Sequence, residues 1–158
     1  MEHGQTRVKI LMVDDDADDC FLVNEALRAS DLDHELQTLP DGVELLDYLY
    51  RRGQYEDLTG ALPDLILLDL NMPRKDGREV LYELRQDPSL RNIPIAVLTG
   101  SSEWCDISRC YELGATVVFN KSEWFQDLIN IITICGNYWF KWMTWKIHQS
   151  AHPNPKSH

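Results

Sequence analysis

Positive charge is in short supply: 15 Lys and Arg stand against 26 Asp and Glu in 158 residues, a net charge of −11. Such a balance opposes nonspecific attraction to nucleic acid or to an anionic membrane surface, so neither is expected as a partner. Cysteine is sparse as well. Cys20, Cys105, Cys110 and Cys135 include no Cys-x-x-Cys pair and no histidine at zinc spacing, which leaves them as small buried hydrophobes. The opening Met1-Glu2-His3-Gly4-Gln5 has no basic stretch leading into an apolar one. No signal peptide is read there, and a cytoplasmic location is expected. Nor is there an unbroken apolar run of bilayer length. The segment Trp124 to Ile147, rich in Ile, Trp and Phe, is interrupted by Gln126, Asp127, Asn130, Gly136, Asn137, Lys141 and Lys146; a spanning helix needs about 20 nearly uninterrupted apolar residues. Internal repeats and low-complexity blocks are absent.

What is present is a chain of one-domain length with 44% apolar residues, enough for a real core. Strand-like and helix-like patterns alternate along it. Val8 to Val13 reads as a strand, about Ala17 to Ala29 as a helix, His34 to Leu39 as a short strand and Val43 to Tyr50 as a helix that frays at Arg51-Arg52-Gly53. A loop over Gln54 to Pro63 precedes the strand Leu65 to Leu68. A helix from about Gly77 to Gln86 stops at Asp87-Pro88; a strand from Ile93 to Leu98 leads to a helix near Glu103 to Leu113, with Gly114 where a left-handed cap is wanted. The strand Ala115 to Asn120 and a fifth helix complete the set. Five such units imply a parallel sheet covered on both faces. The domain is read as residues 7–136, followed over 137–158 by an aromatic extension and a disordered polar tail around Pro153-Asn154-Pro155. Trp139, Trp142 and Trp145 recur at intervals of three, along one helical face.

The chemistry sits at the strand ends. The first strand stops at Asp14-Asp15-Asp16, the third at Asp69, the fourth at Thr99 and the fifth at Lys121. In open α/β sheets the carboxyl ends of the strands form the ligand crevice. An acidic cluster there has three readings: a solvated loop, a cation site or a catalytic pair. Coupling Asp14-Asp15-Asp16 with Asp69 favours Mg²⁺, which takes one or two carboxylates plus a phosphate. Without a cation the carboxylates would repel one another, and Lys121 can supply compensating charge. Asp69 is single and ends the central run, which makes it the candidate phosphoryl acceptor.

The motifs Val13-Asp14-Asp15-Asp16, Leu67-Leu68-Asp69-Leu70-Asn71-Met72-Pro73 with Asp76-Gly77, Leu98-Thr99 and Asn120-Lys121 together resemble the response-regulator receiver domain of two-component signalling. The resemblance runs from about Lys9 to Cys135. It implies a flavodoxin-like (βα)5 fold with strand order 2-1-3-4-5. It also implies phosphorylation of Asp69 by a histidine kinase, Mg²⁺ held by Asp14, Asp15, Asp69 and the Asn71 carbonyl, and phosphoryl contacts from Thr99 and Lys121. Asp16 is left as a flanking acid. Asp41-Gly42, the long loop before the third strand, Lys75 to Leu81, Asp87-Pro88-Ser89-Leu90-Arg91 and the aromatic extension look like the phytochrome-associated single-domain response regulators. A phytochrome is then a candidate kinase, and the aromatic extension a candidate homodimer interface.

Two positions depart from the family pattern. Ser122 follows the lysine where the family usually has proline, and Val118 stands where it often has Tyr or Phe. They leave open a receiver-like interaction protein that no longer needs phosphate. An aspartyl-phosphate phosphatase of haloacid-dehalogenase type wants a second aspartate two residues after the nucleophile, where this chain has Asn71. The expectation is a signalling module, not an enzyme.

Overall fold

The computed structural model of the chain describes residues 7–72, 74–100 and 104–151. Five strands alternate with five helices: β1 (Val8–Val13), α1 (Ala17–Ala29), β2 (His34–Leu39), α2 (Gly42–Tyr50), β3 (Leu65–Asp69), α3 (Gly77–Gln86), β4 (Ile95–Thr99), α4 (Trp104–Glu112), β5 (Val117–Asn120) and α5 (Lys121–Ala151). All pairings are parallel, in the order β2-β1-β3-β4-β5, so the expected flavodoxin-like sheet is the fold. The two-residue period of a strand sorts the core into two layers. Ile10, Met12, Leu65, Leu67, Ala96 and Leu98 pack with α1 and α5, while Leu11, Val13, Ile66, Leu68, Ile95 and Val97 pack with α2, α3 and α4. Strands buried on both faces read as continuous apolar runs, as β3 and β4 do. The edge strand β2 is half exposed.

The acids that follow the strands have a folding role. Asp16 caps α1 by accepting the Asp18 and Asp19 amides, Asp41 caps α2 through the Glu44 amide and Asp76 caps α3 through the Arg78 amide. Each of the first three strands is thus handed to its helix by an aspartate. Gly77 sets how closely α3 approaches the site: a Cβ there would lie 2.8 Å from the Leu70 Cα and 2.9 Å from the Asp69 carbonyl oxygen. Only glycine lets α3 begin against the end of β3.

Several boundaries differ from the sequence reading. The Ile93 amide donates to the Leu90 carbonyl and the Ala115 amide to the Cys110 carbonyl, so both residues belong to turns and β4 and β5 begin two residues later. Within the loop before β3, Gly53–Tyr55 forms a 3-10 turn, and the Tyr55 hydroxyl donates to Glu44 Oε1 at 2.7 Å. Helix α5 consists of two segments. It breaks at Cys135 (φ −129°, ψ 33°) and resumes, with the Asn137 amide donating to Asp31 Oδ1 at 3.0 Å. Cys135 is exposed, contrary to its reading as a buried hydrophobe; Cys110 is buried and Cys20 half-buried, and the side chain of Cys105 lies outside the described residues.

The three tryptophans do not share a face. Trp139 is 5% exposed and packs in the core with Leu128, Ile129 and Ile132, whereas Trp142 and Trp145 are 42% and 56% exposed. Each step of three residues falls about 60° short of a full turn. Over two steps the row therefore rotates from the core to solvent. The expected disordered tail around Pro153-Asn154-Pro155 lies outside the described residues. Among the described residues no helix is long and apolar enough to cross a membrane.

Candidate functional site

Asp14 follows β1, Asp69 closes β3 and Lys121 opens α5, so the sheet itself brings them together. Asp14 and Asp69 are buried and Asp15 is exposed; one carboxylate oxygen from each lies within 4.8 Å of the other two. Lys121 Nζ sits 2.8 Å from Asp14 Oδ2, 2.7 Å from Asp19 Oδ2 and 3.7 Å from Asp69 Oδ2. The Asn71 amide donates to Asp69 Oδ1 at 3.2 Å, and the Asp16 amide donates to Asp14 Oδ1 at 2.9 Å. Asn71 itself is exposed, on the loop that leaves β3. Thr99 is buried at the end of β4, one residue past the Leu98 that pairs with Asp69, and opposite Asn120 on β5.

The electrostatics follow from burial and crowding. Desolvation and then the neighbouring Asp14 push the Asp69 carboxyl up to about 7, while Lys121 and the Asn71 amide pull it the other way. Burial alone would lower Lys121, but its hydrogen bonds to Asp14 and Asp19 outweigh that and hold it above the usual lysine range. Three carboxylates, those of Asp14, Asp19 and Asp69, therefore share one ammonium, and Asp15 adds a fourth negative group beside Asp14 and Asp69. A hard divalent cation with oxygen ligands is the natural complement to such a cluster, and the donor set fits Mg²⁺.

The sequence reading left two acids without their roles. Asp19 is a second partner of Lys121, and its position in the first turn of α1, where acids are favoured by the helix dipole, disguised it. Asp16 is the α1 cap; its carboxylate faces the α1 amides. At the departures from the family pattern, no described peptide bond is cis, so Lys121 and Ser122 are joined in trans. Val118 is half-buried, and its amide donates to the Tyr111 hydroxyl from α4 at 3.1 Å.

The response regulator receiver domain matches residues 10–133. This chain belongs to that family. Its relatives include response regulator Rcp1 of Synechocystis sp., 42% identical over 135 residues that cover 85% of this chain and 90% of Rcp1. The phosphorylated cyanobacterial phytochrome response regulator RcpA superposes with a TM-score of 0.73 at 42% identity, over 81% of this chain and 90% of its own. The Mn²⁺-bound form of Rcp1 gives 0.72 at 44% identity, over 80% and 89%. The bacteriophytochrome response regulator AtBRR gives 0.69 at 33% identity, over 91% and 94%. Receiver domains bind Mg²⁺ at an acidic pocket, and this chain has an acidic cluster of Asp14, Asp15 and Asp69 whose oxygens could hold a metal ion.

Proposed function

We propose that this receiver accepts a phosphoryl group from a histidine kinase on Asp69 and signals through protein contacts. The observation that carries the reading is the convergence of the Asp14, Asp15 and Asp69 oxygens within 4.8 Å, with the Lys121 ammonium 3.7 Å from Asp69. An Asp69 oxygen attacks the phosphorus, the bond to the donor imidazole breaks, and the electron pair leaves with that nitrogen. Mg²⁺, when bound, neutralises charge on the transferring group. Asp14, Asp15, Asp69 and the Asn71 carbonyl are its proposed ligands. Thr99 and Lys121 contact the phosphoryl oxygens, Lys121 by turning from Asp14 and Asp19 towards the new charge. The added charge then shifts the populations of two conformations. Similarity to phytochrome response regulators makes a phytochrome-type kinase the partner to try first. The proposed unit is residues 7–136, with 137–158 as its aromatic extension, in a cytoplasmic protein. Incubation with acetyl phosphate and Mg²⁺, followed by intact-mass measurement, tests the reading: one stable adduct supports it. Rapid turnover would point to a phosphatase, and no adduct to a phosphate-independent interaction protein.

The acidic triplet separates into distinct roles. Asp15→Ala should weaken Mg²⁺ binding in a calorimetric titration while leaving the melting point nearly unchanged. Asp16→Ala should do the reverse, losing about 1 kcal/mol of stability through the α1 cap and keeping its Mg²⁺ affinity. A greater loss of Mg²⁺ affinity in Asp16→Ala would show the register to be wrong.

Homodimerisation is proposed through α5, on a stripe revised from the tryptophan row. Ile131 and Ile134, before the break at Cys135, are 45% and 77% exposed, and Tyr138, Trp142 and Trp145, after it, are 75%, 42% and 56% exposed, with three- and four-residue spacing within each segment. Monomers seldom leave so large an apolar patch uncovered. Ile134→Asp should convert the dimer to monomer in sedimentation velocity; a wild-type monomer at high micromolar concentration, phosphorylated or not, would remove the dimer.

A further inference from the structure

The loop that carries Asn71 is tied down on the side away from the acidic cluster. Arg74 adopts φ +67°, a backbone region glycine enters freely and arginine does not. Its guanidinium grips Asp41 with two bonds, Nε to Oδ2 at 2.8 Å and Nη2 to Oδ1 at 3.0 Å. Paired, near-parallel bonds of this kind fix direction as well as distance. The Asp41 end is buried and already caps α2 through the Glu44 amide at 2.9 Å. Burial pushes the Asp41 carboxyl up, but Arg74 and the Glu44 amide outweigh it and hold the group below its ordinary value.

The turn over residues 39–42 touches both the loop after β3 and the segment bearing Asp14. A Cβ on Gly42 would lie 2.6 Å from Val80 Cγ2 and 3.2 Å from the Lys75 carbonyl oxygen, so the loop after β3 rests on the start of α2. On the other side the Asp14 amide donates to the Leu39 carbonyl at 3.0 Å, two residues before Asp41. The span from Leu70 to Gly77 is closed by the Gly77 amide, which donates to the Leu70 carbonyl at 3.1 Å. Between those ends the loop, exposed Asn71 included, is tied by Lys75 to Glu83 on α3 and by Arg74 to Asp41 at the start of α2.

We infer that Arg74 and Asp41 are positioning residues for the metal pocket: their bidentate pair holds the Asn71 loop at a fixed offset from the segment bearing Asp14. The inference rests on the proposed reading of the Asn71 carbonyl as a ligand. Arg74 is itself more than half exposed. Ion pairs with an exposed partner contribute little to global stability, so the effect falls on the pocket and not on the melting point. Outer partners of metal ligands act in this way, by removing the freedom of the ligand to drift.

Arg74→Gly is the informative change, because glycine accepts the left-handed turn while the whole side chain, guanidinium included, is removed. In the full chain, Mg²⁺ affinity measured by calorimetry should fall about tenfold, amide exchange across residues 70–76 should quicken, and the melting point should stay close to wild type. Arg74→Lys, which keeps the charge but not the fork, should fall between the two. In an Asp41→Asn background, Arg74→Gly should add little, since the pair is already broken. Wild-type affinity and exchange in Arg74→Gly would overturn the inference alone. A wild-type chain that takes up no Mg²⁺ would overturn the metal-pocket reading and the inference with it. Should the glycine variant lose its fold, Arg74→Lys decides: weakened Mg²⁺ binding supports the positioning role and unchanged binding overturns it.

Discussion

Asp69→Asn is expected to take up no phosphoryl group from acetyl phosphate and Mg²⁺ under conditions where the wild type gains one, as read by intact mass. The amide keeps the shape of the side chain and loses the nucleophilic oxygen. The same variant should be the more stable protein when divalent cations are removed. Burial and Asp14 raise the Asp69 carboxyl from 3.8 to about 7, so the folded state holds its proton more tightly than the unfolded chain does. For a group shifted in that direction the penalty is fully present above pH 7 and fades as pH falls through 7 towards 4. Asp69→Asn should therefore exceed the wild type by on the order of 2 kcal/mol at pH 8 and lose that advantage by about pH 4.5. Saturating Mg²⁺ should shrink or invert the difference, since only the wild type keeps the full ligand set. An acyl phosphate at wild-type yield in the variant would remove Asp69 as acceptor, and an advantage that ignores pH would remove the crowding account.

The second large effect concerns Lys121. Its ammonium is the shared counter-charge of Asp14, Asp19 and Asp69, and the Asp14 side chain has no exposed surface. Lys121→Met keeps the length and removes the charge, leaving buried carboxylates opposed. Breaking a buried pair from one side typically costs about 3 kcal/mol or more, and urea unfolding at pH 8 without divalent cations should show a loss of that order. The loss should lessen as pH is lowered towards 5, because the uncompensated carboxyls then bind protons, and it should lessen again when Mg²⁺ is added. Phosphorylation by acetyl phosphate should also drop steeply. Unchanged stability at pH 8 would mean that the carboxylates are already neutral or hydrated, contrary to the geometry.

Much of this was legible in the sequence for a physical reason. A strand buried on both faces must be apolar throughout, so β3 announces itself by Leu65 to Leu68 and Asp69 by interrupting them. Asp14 and Lys121 mark the ends of β1 and β5 in the same way. What the chain conceals is partnership across distance. Nothing local tells that Arg74 meets Asp41, 33 residues earlier, or that Asp31 caps a helical segment beginning at Gly136. The period of the tryptophans shows that they recur on a helix, but which of them is covered depends on α1, whose packing against α5 no local pattern encodes. The starts of β4 and β5 were misplaced because Ile93 and Ala115 are apolar enough for a strand, yet their amides are committed to the preceding turns.

Helix α1 has obligations at both ends. Its first cap, Asp16, hangs by its amide from the Asp14 carboxylate. Just past its last turn, Ser30 crowds Gly136 so closely that a Cβ there would lie 2.7 Å from the Ser30 Oγ, and Asp31 seats the second segment of α5. Thirteen helical residues span about 20 Å, and a helix is stiff along its axis. A displacement of α1 along its axis would therefore be felt at Asn137 as well as at the carboxylates. Those contacts involve neither Thr99 nor Val118, so the acidic cluster and the start of the second α5 segment share a helix that bypasses β4 and β5.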